Sequence, residues 1–240
     1  MKRILLSLML LAAPLGAVNV SSNITLVHIA DGFQWTTTFN IVNLDTAQAS
    51  YTMYFYADDG TPLNLGIVGQ AGLVPSVSGV LAVNGSAIIQ TAGGPVLRQG
   101  WARLNSSQNL GAEATFVNHA AIANYEAAVP IGTVSNAFTI AFDNTNGFFT
   151  GVAIASTDQL NPAVVNATFR DSTGAQIATG QVAVLKAFGH ISLLLNQSFP
   201  STAGLTGTVE FDCVSFCSIG GLGLRFDPNG PFTSTTAFSR

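Results

Sequence analysis

Three histidines, His28, His119 and His190, and twelve acidic residues are the side chains with which this chain could do acid–base or metal chemistry. The histidines stand singly, with no second ligand at the spacing that zinc sites use, so no metal site is expected. Asp58-Asp59 pairs two carboxylates, as glycoside cleavage requires. Gly60 follows at once, however, and Asp-Asp-Gly between apolar runs reads as a hairpin turn. Glu113 is expected on an outward strand face, in a cross-strand ion pair with Arg103. Asp143-Asn144-Thr145-Asn146-Gly147 and Asp227-Pro228-Asn229-Gly230 look like fragments of calcium loops. Both lack the alternating oxygen ligands and distal Glu of a complete loop. There is no Gly-x-Ser-x-Gly nucleophile turn and no zinc-protease helix signature. The expectation is a protein that is not an enzyme and carries no cofactor.

Aromatic and sulfur side chains offer other chemistry. Along Tyr51–Tyr56 and Gly100–Leu104 the residues alternate. Met53, Phe55, Ala102 and Leu104 fall on one face of a strand pair, and Tyr54, Tyr56, Trp101 and Arg103 on the other. An outward patch of those last four could stack on sugar rings, because aromatic faces beside polar groups suit carbohydrate recognition. The competing expectation is that they lie beneath the second half of the chain or a loop. Cys213 and Cys217 are expected to form a disulfide, since export would put them in an oxidising compartment. An extended strand would hold their Cα atoms roughly 13 Å apart, against the 4.4–6.8 Å or so that a bridge spans. The chain must therefore turn through Val214-Ser215-Phe216, with Phe216 at the tip.

The elements that position these residues come from a faint internal repeat. Trp35–Asn43 matches Phe148–Ser156; Tyr51–Tyr56 with Gly60-Thr61-Pro62-Leu63 matches Val165–Arg170 with Gly174-Ala175-Gln176-Ile177. Gly100–Leu104 matches Gly207–Phe211, and Ala112–Phe116 matches Leu222–Phe226. Each block is a short run of period two bounded by Gly, Asn, Asp or Pro. The fold class expected is all-β, with two tandem, structurally similar β-sandwich units at 18–131 and 132–240, joined near Val129-Pro130-Ile131-Gly132. Trp35, Phe39, Phe55, Leu104 and Phe116 should share one core, and Phe148, Val152, Phe169, Phe211 and Phe226 the other. The stretch from Asn105 to Leu110 is expected to be a connection matching the one that holds the cysteines.

Met1-Lys2-Arg3, the apolar run Ile4–Ala13 and the break at Pro14–Ala17 read as a signal peptide covering residues 1–17. The run is too short to cross a bilayer, and no membrane span is expected elsewhere. Without it, six basic residues (Arg98, Arg103, Arg170, Lys186, Arg225 and Arg240) face the twelve acidic ones, a formal charge of −6. That balance leaves no electrostatic footprint for nucleic acid. Charged residues are 8% of the chain, against about 25% in ordinary domains. A surface of neutral hydroxyls and amides fits an exported β protein and argues against long solvated helices.

Phe142-Asp143-Asn144, Gly147-Phe148, Thr150–Ala153, Thr208–Phe211, Leu222–Phe226 and the joining segment Tyr125–Pro130 together resemble a family of secreted two-unit β proteins from soil bacteria. The resemblance implies an extracytoplasmic pair of β-sandwiches and brings no catalytic residues. The expected role is structural or adhesive, with carbohydrate binding by Tyr54, Tyr56, Trp101 and Arg103 as the alternative. A partner would be a cell-surface protein or polysaccharide.

Overall fold

The computed structural model describes residues 21–214 and 217–240. The signal peptide expected at 1–17 and the loop tip expected at Phe216 lie outside the described residues. Before the expected division come β1 (Ser21–Asp31), β2 (Trp35–Asn43), β3 (Ala49–Ala57), β4 (Leu65–Gly66), β5 (Leu73–Val74), β6 (Ser76–Leu81), β7 (Ser86–Gln90), β8 (Arg98–His119) and β9 (Asn124–Pro130). After it come β10 (Val134–Ser135), β11 (Ala137–Asp143), β12 (Phe149–Ser156), β13 (Ala163–Asp171), β14 (Gln176–Leu185) and β15 (His190–Leu194). A short helix, α1 (Leu195–Ser198), precedes β16 (Thr206–Cys213), β17 (Ile219–Phe226), β18 (Phe232–Thr235) and β19 (Phe238–Ser239). The protein is all-β, as its period-two patterning predicts.

In the N-terminal half one strand, β8, serves two groups of neighbours. Its first part lies between β1 and β3, with β6 beyond β3; its second part lies between β2 and β9, with β7 beyond β2. In the C-terminal half, β16 lies between β11 and β13, with β14 beyond β13. There β17 pairs with β12 and β18, with β15 beyond β12. The segment from Asn105 to Leu110, expected to be a connection, is instead part of the 22-residue β8. A register shift against β1, from Asn23 opposite Asn105 to Ser21 opposite Leu110, absorbs the irregularity without ending the strand.

Register relations recur in the two halves. Met53 faces Leu104 and Phe55 faces Ala102, while Ala167 faces Phe211 and Phe169 faces Val209. All eight are buried. Two residues along, a β-carbon on Gly100 would stand 1.9 Å from the Tyr56 carbonyl oxygen, and one on Gly207 would stand 2.0 Å from that of Arg170. Glycine is required at both because the neighbouring backbone occupies the side-chain position. Thr37 Oγ1 donates to Ala30 O (2.8 Å) and accepts from Ala30 N (3.2 Å). Thr150 Oγ1 treats Asp143 the same way, at 3.2 and 3.0 Å.

The buried side chains form two clusters. Phe39, Phe55, Leu104 and Phe116 belong to the first, with Trp35 partly buried against it. Phe138, Phe142, Val152, Phe169 and Phe211 belong to the second. Phe148 and Phe226, expected in the second core, are not in it. Alternation along β12 sends Val152 and Ile154 into the second core, so Phe149 and its cross-strand partner Phe226 face the other way. Phe226 packs against the first cluster, and Phe148 lies beneath the Arg225 guanidinium, 3.6 Å from its ring centre. Ala153, Ala155, Leu222, Leu224 and Phe232 likewise complete the first core from the C-terminal half. β12 is therefore buried on both faces, which suits its unbroken run of small and apolar residues. The Gly-rich start of β17 has the same cause: a β-carbon on Gly221 would meet the Phe138 ring at 2.2 Å, and one on Gly220 would meet Val27 Cγ2 at 3.0 Å.

The joining segment is tied to both halves. Gly132 N donates to Thr25 O (3.0 Å), and β10 pairs with β17. Cys213 and Cys217 are disulfide-bonded with Cα atoms 5.9 Å apart, and both sit against the second core.

Candidate functional site

The predicted ligand face is where the two halves meet. Ala57–Thr61 forms a tight hairpin in which Gly60 (φ +83°) donates to Ala57 O (2.9 Å) and Ala57 N donates to Thr61 O (2.8 Å). Asp59 Oδ1 accepts from the backbone N (3.0 Å) and hydroxyl (2.6 Å) of Thr61. The turn before β15, Lys186–His190, docks on this hairpin: His190 N donates to Asp58 O (3.0 Å), and a β-carbon on Gly60 would collide with Ala187 O. Phe188 takes a left-handed backbone conformation there (φ +56°), at a cost of about 1–2 kcal/mol. The contacts it gains offset that cost. Its ring stacks on Tyr56 (4.6 Å between centroids), Arg103 lies over its face at 4.9 Å, and its carbonyl accepts the Trp101 indole N–H at 2.7 Å.

Trp101, expected either as part of an outward sugar platform or beneath the other half of the chain, is 0% exposed and lies beneath that half. Phe188 from the other half caps the row, and Tyr56 stacks on the indole at 4.9 Å, so neither face is open to a ligand. Burial raises the Tyr56 phenol above its ordinary value, against the pull of Arg103. Tyr54 alone of the three aromatics stays exposed, at 38%. It borders a shallow depression of about 210 Å³ lined by Ser50, Thr52, Asn105, Ser106 and Ser107. Arg103 does not pair with Glu113, because both belong to β8 and sit on parts with different neighbours. Arg103 lies over Tyr54, Tyr56 and Phe188, and Glu113 accepts from Asn40 Nδ2 (3.3 Å).

His119 stays apart from the other two, bonded to Thr36 (2.9 Å) and Asn124 (3.1 Å), but His28 and His190 are not isolated. His28 Nδ1 lies 3.1 Å from His190 Nε2, and His190 Nδ1 lies 2.7 Å from Asp58 Oδ1. Asp58 is 56% exposed, His190 is sealed and His28 is 7% exposed, so the chain runs from solvent to the interior. The carboxylate can only accept, which puts a proton on His190 Nδ1. With both rings neutral, His190 Nε2 accepts from His28 Nδ1–H, and His28 is left with a bare lone pair on Nε2. Burial, then the neighbouring His190, hold the His28 imidazole well below its usual range, so it stays uncharged at neutral pH.

His28 also lines a half-open cavity of about 580 Å³ between β1 and β8 on one side and β12, β15 and β17 on the other. Its apolar lining includes Trp35, Leu97, Ile191, Leu193, Leu222 and Phe226; its polar groups are His28, Gln99, Ser192, Gln197 and Ser198. None of the lining residues carries a formal charge beyond the capacity of His28. A row of rings, Trp35, Phe232, Phe226 and Phe149, with centroids 4.9–5.6 Å apart, stiffens one wall.

Among the described residues no group of three His, Cys, Asp or Glu is disposed to hold a metal ion. The calcium-like fragment at Asp143 is a turn: one carboxylate oxygen caps Thr145 and the other accepts two bonds from Arg225 (2.7 and 2.9 Å). Residue spacing could not reveal the histidine pair, whose members are 162 positions apart. The available signal was His28 within Thr25-Leu26-Val27-His28-Ile29-Ala30. A polar ring in an apolar strand needs a partner when it is buried.

No family model matches the chain, and no curated protein does. One solved structure is similar over most of its length: a Parabacteroides distasonis protein, provisionally described as secreted, at 7% identity. The match covers 88% of this chain and 85% of that one with a TM-score of 0.23, a level that carries no argument about fold or function.

Proposed function

We propose that the chain is an exported, non-catalytic protein made of two similar tandem β-sandwich units, with a structural or adhesive role outside the cytoplasm. The observation that carries this reading is the Phe188 joint, in which Tyr56 and Trp101, the aromatics of the candidate ligand face, hold the two halves together. The recurring registers at Phe55 and Phe169, and the matching glycines at 100 and 207, support the two-unit description. The Cys213–Cys217 bridge supports export, since such bonds persist in oxidising compartments.

Trp101→Ala tests the reading. Large-to-small changes at buried tryptophans cost about 3–5 kcal/mol, and a loss of that size in denaturant titration is expected, whereas unchanged stability would return Trp101 to the ligand-binding reading. One observation favours carbohydrate as a second reading: Tyr54 remains open beside a depression of hydroxyls and amides. A glycan array with the mature chain and Tyr54→Ala separates the two, because a sugar site predicts binding that the variant loses without a change in melting temperature.

A further inference from the structure

We propose that the cavity between the halves binds an uncharged, largely apolar small molecule carrying one hydrogen-bond donor, such as a phenol or a long-chain alcohol, whose donor is received by His28 Nε2. The proposal is independent of the structural or adhesive reading and would stand or fall without it.

Three features select this class. The volume, about 580 Å³, lies within the roughly 300–1,000 Å³ of small-molecule sites, which are mostly apolar with a few placed polar groups. The lining holds no Lys, Arg, Asp or Glu, so an ionised ligand would be desolvated with no counter-charge to meet it. The hydrogen-bond chain from Asp58 through His190 occupies His28 Nδ1 and leaves Nε2 as the ring nitrogen that can meet a ligand; in the tautomer whose Nδ1–H donates to His190, Nε2 is an acceptor. No hydrogen bond among the described residues engages that nitrogen, although His28 is 93% buried by its 7% exposure. An acceptor left unpartnered on a residue that lines the cavity favours an O–H or N–H ligand over a hydrocarbon of the same shape. Gln99, Gln197, Ser192 and Ser198 supply further polar contacts on the walls. The cavity is also rigid on its aromatic side, where Trp35 and Phe226 both pack on Phe232. Preorganised walls lower the ordering cost of binding.

The probe is N-phenyl-1-naphthylamine, an uncharged aromatic amine with one N–H that brightens in apolar surroundings, titrated into the mature chain at pH 7.5. Saturable binding at one site per chain is expected, displaced by 4-propylphenol and about tenfold less well by propylbenzene, the fold-change that one hydrogen bond to an unpartnered acceptor supports. Ser192→Phe fills the cavity from the half-buried edge strand β15, and it should abolish the signal while circular dichroism stays native. If that variant fails to fold, Leu97→Trp at the exposed rim serves in its place. Absent or non-saturable binding, or a signal that persists in the cavity-filled variant, overturns the site. Equal displacement by propylphenol and propylbenzene overturns the role of His28. A glycan-array result or a Trp101→Ala melt leaves these outcomes untouched, so failure here is distinct from failure of the structural reading.

Discussion

At the scale of single residues, His28 sits in an environment far from what its type prefers, a titratable ring 7% exposed. Its folded imidazole titrates well below the ordinary value, through burial first and His190 second. In the unfolded chain the same ring takes up a proton near pH 6.5. The unfolded state therefore binds more protons between the two values, and stability rises with pH across that window. The contribution is complete above about pH 6.5 and is lost as pH falls below it, levelling off only beneath the folded value. Thermal melts at pH 7.5 and pH 5.0 should show a lower melting temperature in acid, with the difference shrinking in His28→Gln. A difference that persists undiminished in that variant would assign the acid sensitivity to other groups. His190 and Asp58 are the titratable groups bonded into the same chain, and keeping above pH 5 avoids most carboxylate titration.

At the scale of elements, the contrast between β8 and the β16–β17 pair is the most informative. β8 runs through its irregular middle unbroken, whereas β16 and β17 are separate strands joined across the Cys213–Cys217 bridge. The bridge closes a small loop, so in the chain-entropy model it stabilises by only about 2 kcal/mol. Replacing both cysteines by serine should lower the unfolding free energy by about that amount and leave the strand signal in far-ultraviolet circular dichroism intact. Loss of the fold on reduction would show that the bridge holds more than its own loop. The expected loop at Asn105–Leu110 was the reasonable reading of Asn-Ser-Ser-Gln-Asn, a run rich in turn formers. Pairing to β1 and β3 at one end and to β2 and β9 at the other outweighs that local preference.

For the whole molecule, the first core is completed by side chains from the C-terminal half, and the Phe188 turn bolts the halves together at a second place. Neither half buries its apolar surface alone. Unfolding should therefore be one cooperative transition. Both tryptophans, Trp35 and Trp101, lie in the N-terminal half, so their fluorescence reports on it while far-ultraviolet circular dichroism reports on both. The two denaturation curves should coincide. A C-terminal half that keeps its strand signal after the tryptophan transition would refute the shared-core account.

Period-two alternation and turn chemistry determined the all-β class, the hairpins at Gly60 and Gly174, and the inward faces at Met53, Phe55, Ala102 and Leu104, because these depend on local geometry that a strand imposes on its own sequence. The disulfide was legible for a similar reason, as two neighbouring cysteines have a limited set of partners. Tertiary structure decided which outward faces stay outward. The alternation that put Trp101 on the far side of its strand was correct, yet the far side is covered by Phe188 from 87 residues away. It decided Phe226 in the same way, since a strand buried on both faces gives no sign of which core a given ring enters. Asp58, His28 and His190 came together only through the docking of one turn on another. No short-range pattern encodes such an encounter, because each residue satisfies its local strand or turn equally well with or without the others.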